Sequence, residues 1–75
     1  MMTSEKARGI FERCLQEEVS SRVALRIAKG KEPANRLAEH QALARVNDRH
    51  EMTDRALHDL IAALVDEDLE GAESW

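Results

Sequence analysis

The sequence predicts an all-α fold, an antiparallel hairpin of two long helices that assembles as a homodimeric helical bundle. Ala, Leu, Glu and Arg are abundant, whereas the 75 residues include one Phe, one Trp and no Tyr, which is typical of helices. No alternating run of β-branched residues lies between turn signals, as a strand would require. Gly30 and Pro33, three residues apart, separate two stretches with helical periodicity.

The first helix is predicted to span about residues 4–29. Thr3 or Ser4 can cap its first turn with a hydroxyl group, and Glu5 lies where the helix dipole favours an anion. Apolar residues then recur at spacings of three and four, which is typical of one face of a helix. They are Ala7, Ile10, Phe11, Cys14, Leu15, Val19, Val23 and Ile27. The stripe drifts around the helix, which favours two packing partners.

The stretch AKGKEPANR, residues 28–36, predicts a turn at 30–32. Gly30 can adopt the left-handed conformation that ends many helices. Pro33 lacks an N–H group and suits the first turn of a following helix. Because the connection is short, the two helices should lie antiparallel as an αα-hairpin.

The second helix is predicted to span about residues 33–70, followed by a frayed tail at 71–75. Its seam alternates spacings of three and four, as in a coiled coil. The seam residues are Leu43, Val46, His50, Thr53, Leu57, Leu60 and Leu64. Asn47, Asp48 or Thr53 can also cap a new helix, so a break near 47–53 stays open. A continuous helix is favoured because the seam runs through this region. Residues 1–75 are predicted to form a single helical domain.

A difference in helix length predicts that the chain self-associates. Helix 1 is ~39 Å long and helix 2 ~55 Å, at about 1.5 Å per residue. With a turn at 30–32, Ala7 lies near Ala56, and residue 60 lies near residue 3. The densest apolar cluster then extends past helix 1. Burying one large side chain contributes ~1.5–3 kcal/mol, so coverage of the cluster by a second chain is favoured over its exposure to water. The predicted interface residues are Leu57, Leu60, Ile61, Leu64, Val65 and Leu69. The alternative is a third helix that folds back.

Charge divides the chain into a basic half and an acidic half. Residues 1–31 hold seven Lys or Arg and four Asp or Glu, whereas residues 32–75 hold four and eleven. In a hairpin, the basic residues at the turn end are Arg22, Arg26, Lys29, Lys31 and Arg36. The acidic residues predicted as a partner-binding surface at the open end are Asp66, Glu67, Asp68 and Glu70. Opposite charges at the two ends favour an antiparallel dimer. In the alternative interpretation the basic residues only complement the dipole of helix 1, and the acidic residues only increase solubility.

No arrangement of residues predicts catalysis, a cofactor or a metal site. His50, Asp54 and His58 are four residues apart and can in principle share an ion, but no second cluster supplies the remaining ligands. Cys14 is predicted to be a small core residue on an apolar stripe and not a nucleophile. Neither a glycine-rich phosphate loop nor a nucleophile elbow is present. The chain is therefore predicted not to be an enzyme.

The predicted function is that of a small, acidic, non-enzymatic protein-interaction module, a regulator, inhibitor or adaptor. Its expected partners are a second copy of the chain and another protein. It is not expected to bind a membrane. A single cysteine, no apolar run near the roughly 20 residues of a membrane span and no apolar stretch typical of a signal peptide favour the cytoplasm.

Nucleic-acid binding through the basic turn end is the alternative function. Rop, a dimeric helical hairpin of similar size, binds RNA, so a Rop-like hairpin is an architectural analogy without a shared motif. The net charge of −4 opposes a general phosphate-binding surface. Protein binding is therefore favoured over nucleic-acid binding.

Overall fold

The computed structural model describes residues 3–31 and 33–73, which form two α-helices. Helix α1 spans Ser4–Gly30, with 27 residues, and helix α2 spans Arg36–Glu73, with 38 residues. They pack along each other in a shape of 65 × 14 × 13 Å. The predicted all-α helical hairpin is confirmed, and α2 is continuous through residues 47–53. Of the predicted frayed tail, residues 71–73 belong to α2, and Ser74 and Trp75 lie outside the described residues.

Each helix begins at a side-chain cap. The Thr3 hydroxyl oxygen accepts a hydrogen bond of 3.2 Å from the Lys6 backbone N–H. The Asn35 side-chain carbonyl accepts one of 3.1 Å from the Ala38 backbone N–H. Each bond satisfies a backbone donor that has no partner within the first turn of a helix, which explains why α1 starts at residue 4 and α2 at residue 36.

The connection between the helices differs from the predicted one. Gly30 is the last residue of α1 and does not adopt a left-handed conformation, and the helix ends at an extended Lys31 with φ −75° and ψ 141°. Pro33 precedes α2 and is not part of its first turn. The predicted roles of Gly30 and Pro33 are therefore wrong, because the Asn35 cap moves the start of α2 to Arg36.

Gly30→Ala should stabilise the hairpin by up to about 1 kcal/mol, because alanine is the better helix former and loses less chain entropy on folding. A methyl group at this position would meet no atom within 4 Å. Urea denaturation of both proteins measures the difference. A lower midpoint for the variant would indicate that Gly30 is left-handed in solution.

The seam between the helices is built mainly from small and polar side chains. Its buried apolar residues are Ala7, Val46, Ala56, Leu60 and Ala63, and its buried polar residues are Glu18, Ser21 and Thr53. Ala7, Leu60 and Ala63 form a cluster at the open end of the hairpin, and Phe11 packs against it. Within the described part of the chain, no large side chain is fully buried. The hairpin core is therefore small, which limits the stability of a single copy.

The pairing of the two helices is shifted from the predicted register. The Thr53 hydroxyl donates to the Cys14 carbonyl oxygen at 3.2 Å, and Ser4 contacts Glu67. The predicted meeting of residues 60 and 3 is therefore wrong, because the longer connection lets α2 start later. Leu60 consequently lies in the hairpin core, 9% exposed, and not in the overhang that the sequence predicted. Only the residues beyond Glu67 extend past α1.

Candidate interaction surface

The large hydrophobic side chains lie mostly outside the hairpin core. Their exposure ranges from 37% for Leu57 to 66% for Leu37. The exposed set is Ile10, Leu15, Val19, Val23, Ile27, Leu37, Leu43, Met52, Leu57, Ile61, Leu64, Val65 and Leu69. Isolated exposed apolar residues are normal, but contiguous ones mark interaction surfaces. The arrangement of this set along the two helices therefore indicates which side of the hairpin is apolar.

One side of the hairpin carries leucines at seven-residue intervals on α2. Leu43, Leu57 and Leu64 follow this interval, and His50 occupies the position between the first two. Residues seven apart lie on one side of a helix, because seven residues complete two turns. His50 contacts Glu18 of α1, so this strip borders the seam.

A matching strip on α1 borders the same side of the seam. Leu15 and Arg22 are seven residues apart, and Arg22 contacts the same Glu18 carboxylate that His50 contacts. Val19 follows Leu15 by one turn, as Ile61 follows Leu57. We call the exposed apolar residues on this side the leucine face. They are Leu15, Val19, Leu43, Leu57, Ile61 and Leu64.

The opposite side of the seam is mainly polar, with the exposed Met52 next to Arg49. Arg49 Nη1 lies 3.1 Å from Glu17 Oε2 in an exposed ion pair between the helices. A shallow groove on this side is lined by Arg13, Glu17, Ser20, Arg45 and Arg49, among others. The hairpin is therefore amphipathic across its thickness, with the leucine face on one side and charged residues on the other.

A buried carboxylate, that of Glu18, lies beneath the middle of the leucine face. Glu18 is 8% exposed. Its Oε2 atom lies 2.9 Å from both Nε and Nη2 of Arg22, and both carboxylate oxygens lie 3.3 Å from Nδ1 of His50. Burial raises the pKa of Glu18, but polar contacts with Thr53, Arg22 and His50, together with the Arg22 charge, lower that pKa by more. The pKa therefore lies below its ordinary value, and Glu18 is ionised at neutral pH. We call Glu18, Arg22 and His50 the central charge cluster.

The acidic open end is partly occupied by contacts within the chain. The Ser4 backbone N–H donates to Glu67 Oε1 at 2.9 Å, and the Ser4 hydroxyl donates to Glu67 Oε2 at 2.7 Å. These two hydrogen bonds lower the pKa of Glu67, with the hydroxyl making the larger contribution. Glu67 thus caps α1 from the other helix, where the helix dipole also favours an anion. Of the predicted acidic partner-binding set, this leaves Asp66, Asp68 and Glu70 without an ion pair to another described residue.

The basic turn end keeps most of its predicted charges available. Arg22 is engaged by Glu18. Arg26, Lys29, Lys31 and Arg36 are exposed and form no ion pair with the part of the chain that the structure describes. The two ends of the hairpin therefore present opposite charges to their surroundings.

The histidines and the cysteine occupy separate environments. His58 Nε2 lies 3.7 Å from Asp54 Oδ1, whereas His50 contacts Glu18. Across residues 3–31 and 33–73, no group of three His, Cys, Asp or Glu side chains is placed to hold a metal ion. Cys14 is half-buried at the seam, and its carbonyl oxygen accepts from Thr53.

Neither described helix has the length and hydrophobicity that crossing a bilayer requires. Comparison with family models, curated proteins and solved structures gave no match.

The central charge cluster is the feature that sequence analysis missed. A glutamate next to an apolar stripe is usually solvated, so the sequence pattern does not indicate that Glu18 is buried. Two signals could have found it. Glu18 falls seven residues after Phe11 and seven before Leu25, on the seam side of α1, and Arg22 follows it by four residues, the spacing of a helical ion pair.

Proposed function

We propose that the chain is a non-enzymatic protein-interaction module, acting as a regulator, inhibitor or adaptor, and that the leucine face is its binding surface. The observation that carries this proposal is the placement of large aliphatic side chains on an exposed face above a seam of small residues. Burying each of these side chains against a partner contributes ~1.5–3 kcal/mol to the free energy of binding. Because the hairpin core is small, this additional burial increases the stability of the fold, as assembly does in many small domains.

The shape of the leucine face fits a helical partner. The apolar side chains of α2 form a long ridge, and Leu15 and Val19 form a shorter one on α1, so a further helix can pack along the seam between them. The central charge cluster interrupts the apolar surface at its middle. A partner must match those charges or leave them desolvated, so the cluster contributes specificity. The proposed module binds a second copy of itself and another protein, and a cytoplasmic location is supported by its single cysteine.

Binding should be lost when the leucine face is made polar. We expect the combined variant Leu43→Gln, Leu57→Gln and Leu64→Gln to bind protein partners, including other copies of the chain, at least about tenfold more weakly. Affinity capture with a tagged chain and quantitative mass spectrometry measures this loss. Circular dichroism verifies that the variant remains helical.

A matched control carries the same number of changes on other sides of the helices, namely Ile27→Gln, Leu37→Gln and Leu69→Gln. These residues are at least as exposed as those of the leucine face. Partners should be retained by the control variant as they are by the unmodified chain. Equal loss from both variants, or retention by both, would contradict the assignment of the binding surface.

Nucleic-acid binding by the turn end stays as the alternative function. The free cations Arg26, Lys29, Lys31 and Arg36 support this alternative. The net charge of −4 and the engagement of Arg22 by Glu18 oppose it. A gel shift of RNA or DNA that weakens with salt and disappears in an Arg26→Glu, Lys29→Glu variant would favour the alternative over protein binding.

A further inference from the structure

We infer that the leucine face is covered by a second copy of this chain in antiparallel orientation, with the two central charge clusters opposite each other at the middle of the joint. This inference rests on the proposed function and names the partner of the same surface. In a two-fold symmetric dimer both copies use the same surface, so the leucine face must be complementary to itself. Size, position and charge support this arrangement.

The side of the hairpin that carries the leucine face is large enough for a stable interface. This whole side, 65 Å long and 14 Å wide, has an area of roughly 900 Å², close to the ~800 Å² that each partner contributes to a standard protein interface. The leucine face runs along the middle of this side from Leu43 to Leu64, a length of ~32 Å at about 1.5 Å per residue. An antiparallel pair centred on His50 overlaps from residue 36 to residue 64 of α2, so a second copy covers the leucine face in full.

The central charge cluster lies where a two-fold axis perpendicular to the helices would pass. Helix α1 spans Ser4–Gly30, so Glu18 is close to its midpoint, and His50 lies beside it on α2. An antiparallel pair centred on this level brings the two clusters together. The Arg22 and His50 side chains are 53% and 62% exposed, so each remains accessible to the second copy. Charged groups at the centre of an apolar joint fix its register, as polar residues do in coiled coils.

The charges at the two ends determine the orientation. A parallel pair would place Asp66, Asp68 and Glu70 of both copies at one end, within a Debye length of about 8 Å at physiological salt. An antiparallel pair centred on His50 instead brings those acids, 16 to 20 residues after His50, to the turn end of the other copy, where Arg36 lies 14 residues before His50 and Lys31 directly follows α1. The acidic end of each copy therefore faces the basic end of the other across the antiparallel interface.

Sedimentation equilibrium tests the identity of the partner. The unmodified chain and the Ile27→Gln, Leu37→Gln, Leu69→Gln control should be dimeric at micromolar concentration. The leucine-face glutamine variant should be monomeric. A monomeric unmodified chain at high micromolar concentration that still captures another protein through the leucine face would overturn this inference while the proposed function stands. Absence of both self-association and capture would overturn both.

Charge reversal tests the orientation. Lys31→Glu with Arg36→Glu should raise the dimer dissociation constant about tenfold, because exposed ion pairs between the two copies become repulsive. Adding Asp68→Lys and Glu70→Lys to the same chain should restore most of the affinity. None of these four residues forms an ion pair within the described hairpin, so the fold of one copy is spared. Failure of the second pair of changes to restore affinity would overturn the antiparallel arrangement.

Spin labels give an independent measure of orientation. A label on Glu70→Cys in a Cys14→Ser background should lie at opposite ends of the dimer in its two copies, separated by most of the 65 Å length. Two labels close to each other would show a parallel pair and overturn the inference.

Discussion

Leu60→Ala should lower the free energy of unfolding by about 2–3 kcal/mol. Leu60 is the largest buried member of the cluster with Ala7 and Ala63, and neither alanine can fill the space left by its side chain. We place the loss near the lower end of the range for buried leucines because the cluster lies near the surface of a thin hairpin. Urea denaturation at one low protein concentration separates this loss from any change in self-association.

Leu69→Ala is the matched control for Leu60→Ala. Leu69 is also a leucine of α2, but it is 54% exposed and lies past the end of α1. We expect its replacement to change the free energy of unfolding by no more than about 0.5 kcal/mol, as for most surface substitutions. Equal losses for the two variants would show that Leu60 is not in the core and that the register of the helices is different.

Glu18→Gln should destabilise the hairpin by about 1–2 kcal/mol at pH 7 and should reduce its sensitivity to acid. The carboxylate of Glu18 is buried and accepts charge-assisted hydrogen bonds from Arg22, which glutamine replaces with weaker neutral ones. Its pKa in the folded chain lies below the ordinary value of 4.5, so the unfolded chain binds the proton more readily. The stabilisation is therefore complete above about pH 4.5 and is lost as the pH falls through the folded pKa.

The measurement is the free energy of unfolding between pH 7 and pH 3 for the unmodified chain and for Glu18→Gln. The curve of the variant should fall less steeply below pH 4.5. Glu17→Gln is the control, because the exposed Glu17–Arg49 pair should contribute less than about 1 kcal/mol. Identical curves for Glu18→Gln and the unmodified chain would contradict the contact between Glu18 and Arg22.

Sequence periodicity was sufficient to predict the two helices, and the short connection was sufficient to predict their antiparallel arrangement. The cap of α1 was predictable from residue type, since Thr3 is one of the two hydroxyl side chains at its start. The register was not predictable in the same way. It depends on whether α2 starts at Pro33 or after Asn35, and the cap chemistry of Asn35 outweighed the conformational preference of Pro33.

The surface is harder to predict than the helices because the size of an apolar side chain does not by itself indicate that it is buried. The spacing of three and four from Leu43 to Leu64 mixes two strips of α2. Val46, Thr53 and Leu60 face α1, whereas Leu43, His50, Leu57 and Leu64 border the seam and remain exposed. Alanines such as Ala56 and Ala63 fill the seam instead, and alanine is equally common on exposed helix surfaces. Only the second helix decides which strip is covered, and periodicity within one helix does not contain that information.

The position of the hydrophobic cluster also bears on the order in which the hairpin forms. The cluster of Ala7 and Leu60 lies at the open end, where contacts join distant parts of the chain, as the separation of 63 residues between Ser4 and Glu67 illustrates. Closing a loop of about 50 residues instead of one of about five is more than three doublings of loop length and costs about 2 kcal/mol, which offsets most of the ~1.5–3 kcal/mol gained by burying a leucine. We therefore expect helix pairing to begin next to the connection, where contacts are local, and to spread toward the open-end cluster. The open end is then the last part of the hairpin to become ordered, and the start of α1 is among the first segments to exchange amide hydrogens.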